Sequence, residues 1–247
     1  MSTSGKYSGI TVNRPGIPEK KMLKVDTHVH TCYSADSALS LENLIKACQN
    51  MGVNCIAVTD HDTIKGAVRL QEIAPFRVIV GEEIRTLDGE ITGLFLKEEI
   101  PPNLSAEETF SRIKAQGGLI YIPHPFSFFR REAIYIEKLH ELYGHADIIE
   151  CYNGRNFLFF ENRRAINFTL ERKLAMGAGS DAHHQCEIGN VFIEMDDFNT
   201  KEEFLAGLKK GRVVVAPYSR RIGSFMIEAF FFLVWVKIFN LFRKEYT

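Results

Sequence analysis

Several things are scarce in this 247-residue chain, and each shortage closes a class of function. The five cysteines (Cys32, Cys48, Cys55, Cys151, Cys186) are odd in number and never form a CxxC pair. That excludes a disulfide framework and a zinc ribbon, and it suits a reducing, cytoplasmic setting. Net charge is nearly absent, at -1, so there is no overall basic field of the kind that neutralises a nucleic-acid backbone. No Walker-type glycine loop and no Gly-x-Ser-x-Gly elbow occur, which argues against P-loop chemistry and a serine nucleophile. Residues 1–21 hold Ser, Gly, Pro and Lys without an apolar run, so they read as a flexible lead-in, neither a secretory signal nor an anchor.

What the chain does have is a hydrophobic content of 45%, enough for a large core in one α/β domain, expected over residues 22–216. Short apolar runs alternate with helical periods, the pattern of repeated β-α units. Strands are predicted at 22–26, 55–59, 76–80, 119–122, 148–151 and 174–178, with a hairpin turn at Asp88-Gly89 and a returning strand over 91–96. Strands at 191–195 and 213–216 bracket a helix at 201–209. Further helices are predicted at 40–51 with Ser40 as N-cap, 64–72, 105–116 with the spacing of a capping box, 131–143 and 155–172.

Against this frame, the residues that bind metals fall in a regular place. His28 and His30 lie two apart after a short apolar lead, which on a strand points both imidazoles to one side. Asp60-His61-Asp62, Gly81-Glu82-Glu83, Pro123-His124-Pro125 and Ser180-Asp181-Ala182-His183 each follow their own strand-like run. In parallel α/β sheets and barrels the C-terminal strand ends form one mouth, so these residues are expected around a single site. A mixed imidazole and carboxylate set favours Zn, Mn or Fe over Mg or Ca. Eight or nine such side chains are more than one tetrahedral ion uses, which implies at least two ions. Paired ions suit phosphate-ester hydrolysis by a metal-bound hydroxide.

The ordered set His28-Val-His30, Tyr33-Ser-Ala-Asp36-Ser, Thr59-Asp-His61, Gly81-Glu-Glu83-Ile, His124-Pro, Ile149-Glu150 and Gly179-Ser-Asp181-Ala-His183 resembles the PHP family, the polymerase and histidinol phosphatase domain. The resemblance implies a distorted (β/α)7 barrel holding two to three divalent ions at its C-terminal mouth. It also implies that His28, His30, Glu83 and Asp181 hold one ion, that Glu83 bridges to a second ion bound by His124, and that Asp36, His61 and His183 hold the third. Glu150 stands where family members carry a His, Cys or Glu, and is the candidate further ligand. One departure is clear: phosphoesterase members usually follow Gly-Glu-Ile with His, whereas Gly89-Glu90-Ile91 is followed by Thr92. The second site is then either weak, completed by water, or rescued by Glu90 or Glu150.

Around these ligands, Arg130 resembles a substrate-phosphate arginine of the family, and guanidinium suits bidentate phosphate binding. Asn153 and Arg155 sit where a barrel loop reaches substrate. Asp26, Asp60 and Asp62 flank ligands and suit orienting or capping roles. His140 and His145 read as surface residues, and His184 is expected to point away from the site.

The tail, residues 217–247, carries a stretch at 225–242 that is apolar except for Glu228, Lys237 and Asn240. As a helix it has no single polar face. It reads as a helix closing the barrel or a homo-oligomer, as an anchor at a membrane surface, or as a membrane span. Three functions are compatible with the whole. The first is a phosphoesterase acting on a small phosphorylated substrate or nucleotide. The second is a nuclease for short oligonucleotides, with the Phe126–Arg131 loop as its one hint. The third is a PHP-like module that has lost catalysis and binds a membrane or partner.

Overall fold

The structure is a computed structural model describing residues 22–128, 130, 133–156 and 158–217. The lead-in over 1–21 and the apolar stretch at 225–242 lie outside the described residues, and so do the expectations placed on them.

Nine strands form one sheet among the described residues: β1 Met22–Val29, β2 Cys55–Val58, β3 Arg77–Thr86, β4 Gly89–Leu94, β5 Leu119–Ile122, β6 Ile148–Asn153, β7 Ala175–Gly179, β8 Val191–Asp196 and β9 Arg212–Val215. Their order is β7-β6-β5-β4-β3-β2-β1-β8-β9. β1 to β3 run parallel, and so do β5 to β7, while β4 is the antiparallel return of a hairpin and bonds to both β3 and β5. Beyond β7 the chain bridges to the end of β1 at Val29 and Ala182; His30 N–H donates to the Ala182 carbonyl at 2.9 Å and Asp181 N–H to the His28 carbonyl at 2.8 Å. Seven strands thereby close into a nearly complete barrel of the (β/α)7 type, and β8 and β9 extend the sheet from the other edge of β1.

Alternation along the strands builds two apolar layers. Val25, Cys55, Ala57, Ile79, Leu119, Tyr121, Ile148 and Ala175 fill the inside of the barrel. Ile56, Val58, Val78, Val80, Ile120 and Ile149 point outward beneath the helices α1 Leu41–Met51, α2 Lys65–Ile73, α3 Ala106–Ala115, α4 Ile136–Leu142 and α5 Phe159–Glu171. Phe204 and Leu208 of α6 (Lys201–Lys210), with Phe198, join the inner layer beside the first residues of the strands. α6 thus plugs the bottom of the barrel.

The register of β1 against β2 shifts between Asp26 and Val29, an irregularity that re-aims side chains near a strand end. Val25 faces inward whereas Val29 belongs to the outer layer, and His28 and His30 turn into the mouth. The caps follow the sequence: Ser40 and Ser105 each accept a hydrogen bond from the backbone N–H three residues on.

Two helices start later than their periodicity predicts. α4 begins at Ile136 because Ala133 and Ile134 are buried against the β3–β4 hairpin, with Tyr135 N–H donating to the Asp88 carbonyl. That packing also explains Gly89, which has φ 109° and would place a Cβ 2.4 Å from Ile134 Cα. α5 begins at Phe159, since Asn153, Asn156 and Asn162 bond to one another across residues 153–156 and hold them as a loop; Glu161 then caps the helix by accepting the Leu158 N–H.

Candidate metal centre

The β-α units deliver seven of the nine expected ligands to one side-chain cluster, seven distant positions in sequence meeting at the top of the barrel. His28 and His30 come from the end of β1, Glu83 from β3, His124 from the loop after β5, and Asp181 and His183 from the loop after β7. His61 sits just past β2 and bridges to Glu83. Of these, His28, His30, Glu83, His124 and Asp181 are almost completely buried. Asp36, the eighth, lies on the exposed loop after β1, and its Oδ2 is 3.0 Å from His183 Nε2 and 3.4 Å from His61 Nε2.

At the centre, His28 Nε2 is 3.0 Å from His30 Nε2 and 3.3 Å from Glu83 Oε2. Asp181 Oδ1 lies 3.4 Å from His30 Nε2 and 3.7 Å from His28 Nε2. The other oxygen of Glu83 is 3.1 Å from His124 Nε2, so the two Glu83 oxygens face different histidines. Among the described residues, four overlapping groups have the spacing of a metal-ligand set: His28, His30 and Asp181; His28, Glu83 and His124; His30, His61 and Glu83; and His30, Asp36 and His183.

The donor set fits divalent transition metals. Bonds of about 2.0–2.2 Å place tetrahedral donors roughly 3.3–3.6 Å apart, and the observed separations bracket that range. Asp181 Oδ1, His61 Nδ1 and His124 Nδ1 are buried with no hydrogen-bond partner among the described residues, a costly condition that a cation or its bound water relieves. Backbone strain collects at the same place: Asp181 has φ 55° and His124 φ 26°, both in the left-handed region.

Electrostatics match this geometry. Burial opposes ionisation of Glu83, yet the facing His28 and the hydrogen bond from His124 hold its carboxyl well below the usual range. Burial likewise opposes the charge on Asp181, and Arg130, then His28, hold it low. For His28 burial disfavours the cation, but Glu83, Asp181 and Glu150 push its pKa well up. His183 goes the other way, lowered to about 4 by burial and by His30. Burial lifts Glu90 to about 8, with the charge of Glu83 adding to it.

The structure places Glu150 one step behind the cluster. Its Oε1 lies 3.1 Å from His28 Nδ1 and accepts from the Tyr121 hydroxyl at 2.9 Å, while Oε2 accepts from His124 N–H at 2.6 Å and from Asn153 Nδ2 at 3.0 Å. Both oxygens are committed to donors, so Glu150 fixes the His28 ring and the His124 backbone, and it belongs to none of the ligand-spaced groups. Asn153, expected at substrate, is buried and spends its amide on Glu150 and on Asp181 Oδ2. Arg155 lies at the rim, its Nε 3.9 Å from Glu187 Oε1. Arg130 pairs with Asp181 through one guanidinium nitrogen.

The flanking aspartates hold backbone. Asp26 accepts from His28 N–H and Ser180 N–H, Asp60 from the Thr31 N–H and hydroxyl, and Asp62 from Arg85. His140 and His145 are on the surface, and His184 turns its Nδ1 to Cys186 Sγ at 3.1 Å. Two positioning residues escaped sequence reasoning. Tyr121 sits in Leu-Ile-Tyr-Ile, a run that reads as plain core, and no local signal betrays its hydroxyl's partner. Ser34 lies 3.1 Å from His30 Nδ1 and accepts the His61 N–H at 2.8 Å; its place between His30 and Asp36 was the available hint.

Residues 26–122 match the model of the PHP domain and residues 160–213 that of a PHP-associated region. The uncharacterized protein MJ0417 of Methanocaldococcus jannaschii is 35% identical over 183 residues, covering 73% of each chain. The uncharacterized protein MJ1587 of the same organism is 43% identical over 118 residues, 42% of this chain and 69% of that one. Among solved structures, a two-domain protein of Bacteroides vulgatus containing a predicted PHP-like metal-dependent phosphoesterase superposes with a TM-score of 0.62 at 20% identity, over 85% of this chain and 70% of that one. PsfC from Pseudomonas syringae gives a TM-score of 0.64 at 15% identity, over 83% and 96%. With the relative at 35% identity and the matched domain model containing His28, His30, His61 and Glu83, the chain belongs to the PHP family.

Proposed function

We propose that the protein is a metal-dependent phosphoesterase hydrolysing a small phosphomonoester or a nucleotide. The observation that carries this reading is Glu83 shared by two of the overlapping imidazole-carboxylate groups, its two oxygens facing different histidines, with Arg130 paired to Asp181 beside them. Two to three divalent ions, Zn, Mn or Fe, would be held by His28, His30, Glu83 and Asp181, by Glu83 and His124, and by Asp36, His61 and His183. Such ions, when bound, bring the pKa of water toward neutrality and offset phosphoryl charge.

The chain's own residues supply orientation and charge. Glu150 holds the His28 ring so that Nε2 faces the cluster. Arg130, anchored through one nitrogen, keeps the rest of its fork for a phosphoryl oxygen and offsets negative charge there as the ester bond breaks. The near-zero net charge favours a small ester over a long polyanion.

The test is an assay of purified protein supplied with Mn or Zn, using p-nitrophenyl phosphate, a nucleotide panel and short oligonucleotides. Turnover on the small esters, lost in both His124→Ala and Asp181→Asn together with metal, is the expected result. Full activity and full metal content in those variants would sink the assignment.

A further inference from the structure

Glu90 is a buried carboxylate that lies outside the four ligand-spaced groups, as Glu150 does, but faces the cluster with both oxygens free of the hydrogen bonds that hold Glu150. The β3–β4 ladder pairs Glu83 with Thr92 and Arg85 with Glu90, so Thr92 and Glu90 share the face on which Glu83 meets the histidines. Thr92 brings only a short hydroxyl, and its Oγ1 is buried without a partner among the described residues. Glu90 reaches further. Its Oε2 lies 3.6 Å from His124 Nε2 and its Oε1 3.5 Å from His61 Nδ1, and the residue is only 4% exposed.

The neighbouring guanidiniums are spent elsewhere, which leaves the His61 imidazole as the basic group nearest Glu90 Oε1. Arg85, directly across the ladder, turns its guanidinium to Asp62, and Arg130 pairs with Asp181. A carboxylate out of water and aimed between two imidazoles is placed to share a cation with them. Glu150 cannot serve in its stead, since both its oxygens already accept hydrogen bonds.

We propose that Glu90 is a further ligand of the ion that Glu83 and His124 would hold, reaching from β4 past the short Thr92 side chain. This rests on the metal-centre reading above, and the experiment separates the two. Wild type, Glu90→Gln and Glu150→Gln are dialysed against Mn or Zn, and the ions per chain are counted by elemental analysis, with circular dichroism and thermal unfolding as checks of folding. Glu90→Gln is expected to hold one equivalent fewer than wild type, whereas Glu150→Gln keeps the full number. Adding Thr92→His to Glu90→Gln is expected to return the missing equivalent.

Unchanged stoichiometry and affinity in folded Glu90→Gln would overturn the proposal. A wild-type protein that takes up no ion would instead defeat the metal centre itself, and Glu90 with it. Should Glu90→Gln not fold, Glu90→Asp carries the test. It keeps the charge and retracts it by one methylene; weaker binding of one ion supports the proposal, and wild-type affinity for every ion refutes it.

Discussion

Glu150 and His28 are 122 residues apart in sequence and meet at 3.1 Å between Oε1 and Nδ1, which leaves the opposite ring nitrogen of His28 3.3 Å from Glu83. A carboxylate behind a ligating imidazole fixes its tautomer and orientation and raises its basicity. Glu150→Gln is therefore expected to weaken ion binding about 10- to 100-fold while the saturated ion count stays the same. Titration against a competing chelator measures both quantities, and loss of a whole equivalent would show Glu150 to be a direct ligand.

Arg130 makes a different prediction, because it touches the cluster through Asp181 and also lies at the edge. Arg130→Ala should lower kcat/KM about 10- to 100-fold, the scale of one charged hydrogen bond, with the ion count unchanged. Lysine at this position should recover only part, since it lacks the planar fork. Steady-state kinetics alongside elemental analysis decide it; a fall in ion content would make Arg130 a support for Asp181 instead.

Ion uptake should release protons in a pH-dependent way. Burial works against charge on His61, but Asp36, Glu83 and Glu90 together raise its pKa to about 9. In the ion-free protein His61 is then mostly protonated at pH 7, and a metal taking the ring lone pair expels that proton. Release should diminish as the pH rises through about 9, where the ring is already neutral. Isothermal titration calorimetry in buffers of different ionisation enthalpy reads this directly, and a proton count that does not vary between pH 7 and 10 would contradict it.

The barrel also predicts thiol reactivity. Cys48, Cys55 and Cys151 are buried, and burial pushes Cys55 and Cys151 up to about 12. Cys32 is exposed and Cys186 partly so. Iodoacetamide on the native protein near pH 8 should modify Cys32 and Cys186 and leave the other three until the chain unfolds. Mass spectrometry of peptides checks it, and rapid labelling of Cys55 would mean that β2 is not packed as described.

How much of this was legible in the sequence differs from residue to residue. The pair His28 and His30 could be read because strand alternation and metal chemistry both act over two residues. Leu119–Ile122 was legible to the residue as a strand, since an apolar run between turn signals has few alternatives. That Glu150 faces inward and Cys151 does not also follows from alternation. Its role did not follow, because it depends on which nitrogen of a ring 122 residues away it meets. The late starts of α4 and α5 were hidden for a similar reason. Local periodicity favours earlier helix, and packing of Ile134 on the hairpin, or the asparagine bonds of 153–162, overrides it. The shift in β1 that aims the histidines is likewise a property of strand pairing and left no mark in the residues themselves.

Metal-dependent hydrolysis at this barrel mouth, as proposed above, is tested by metal content per chain on protein purified without chelator, with phosphoesterase turnover assayed on the same sample. Two to three ions, turnover abolished by EDTA, and recovery when Mn or Zn is returned are the expected results. One ion or none, and no turnover after either metal is restored, would contradict the proposal.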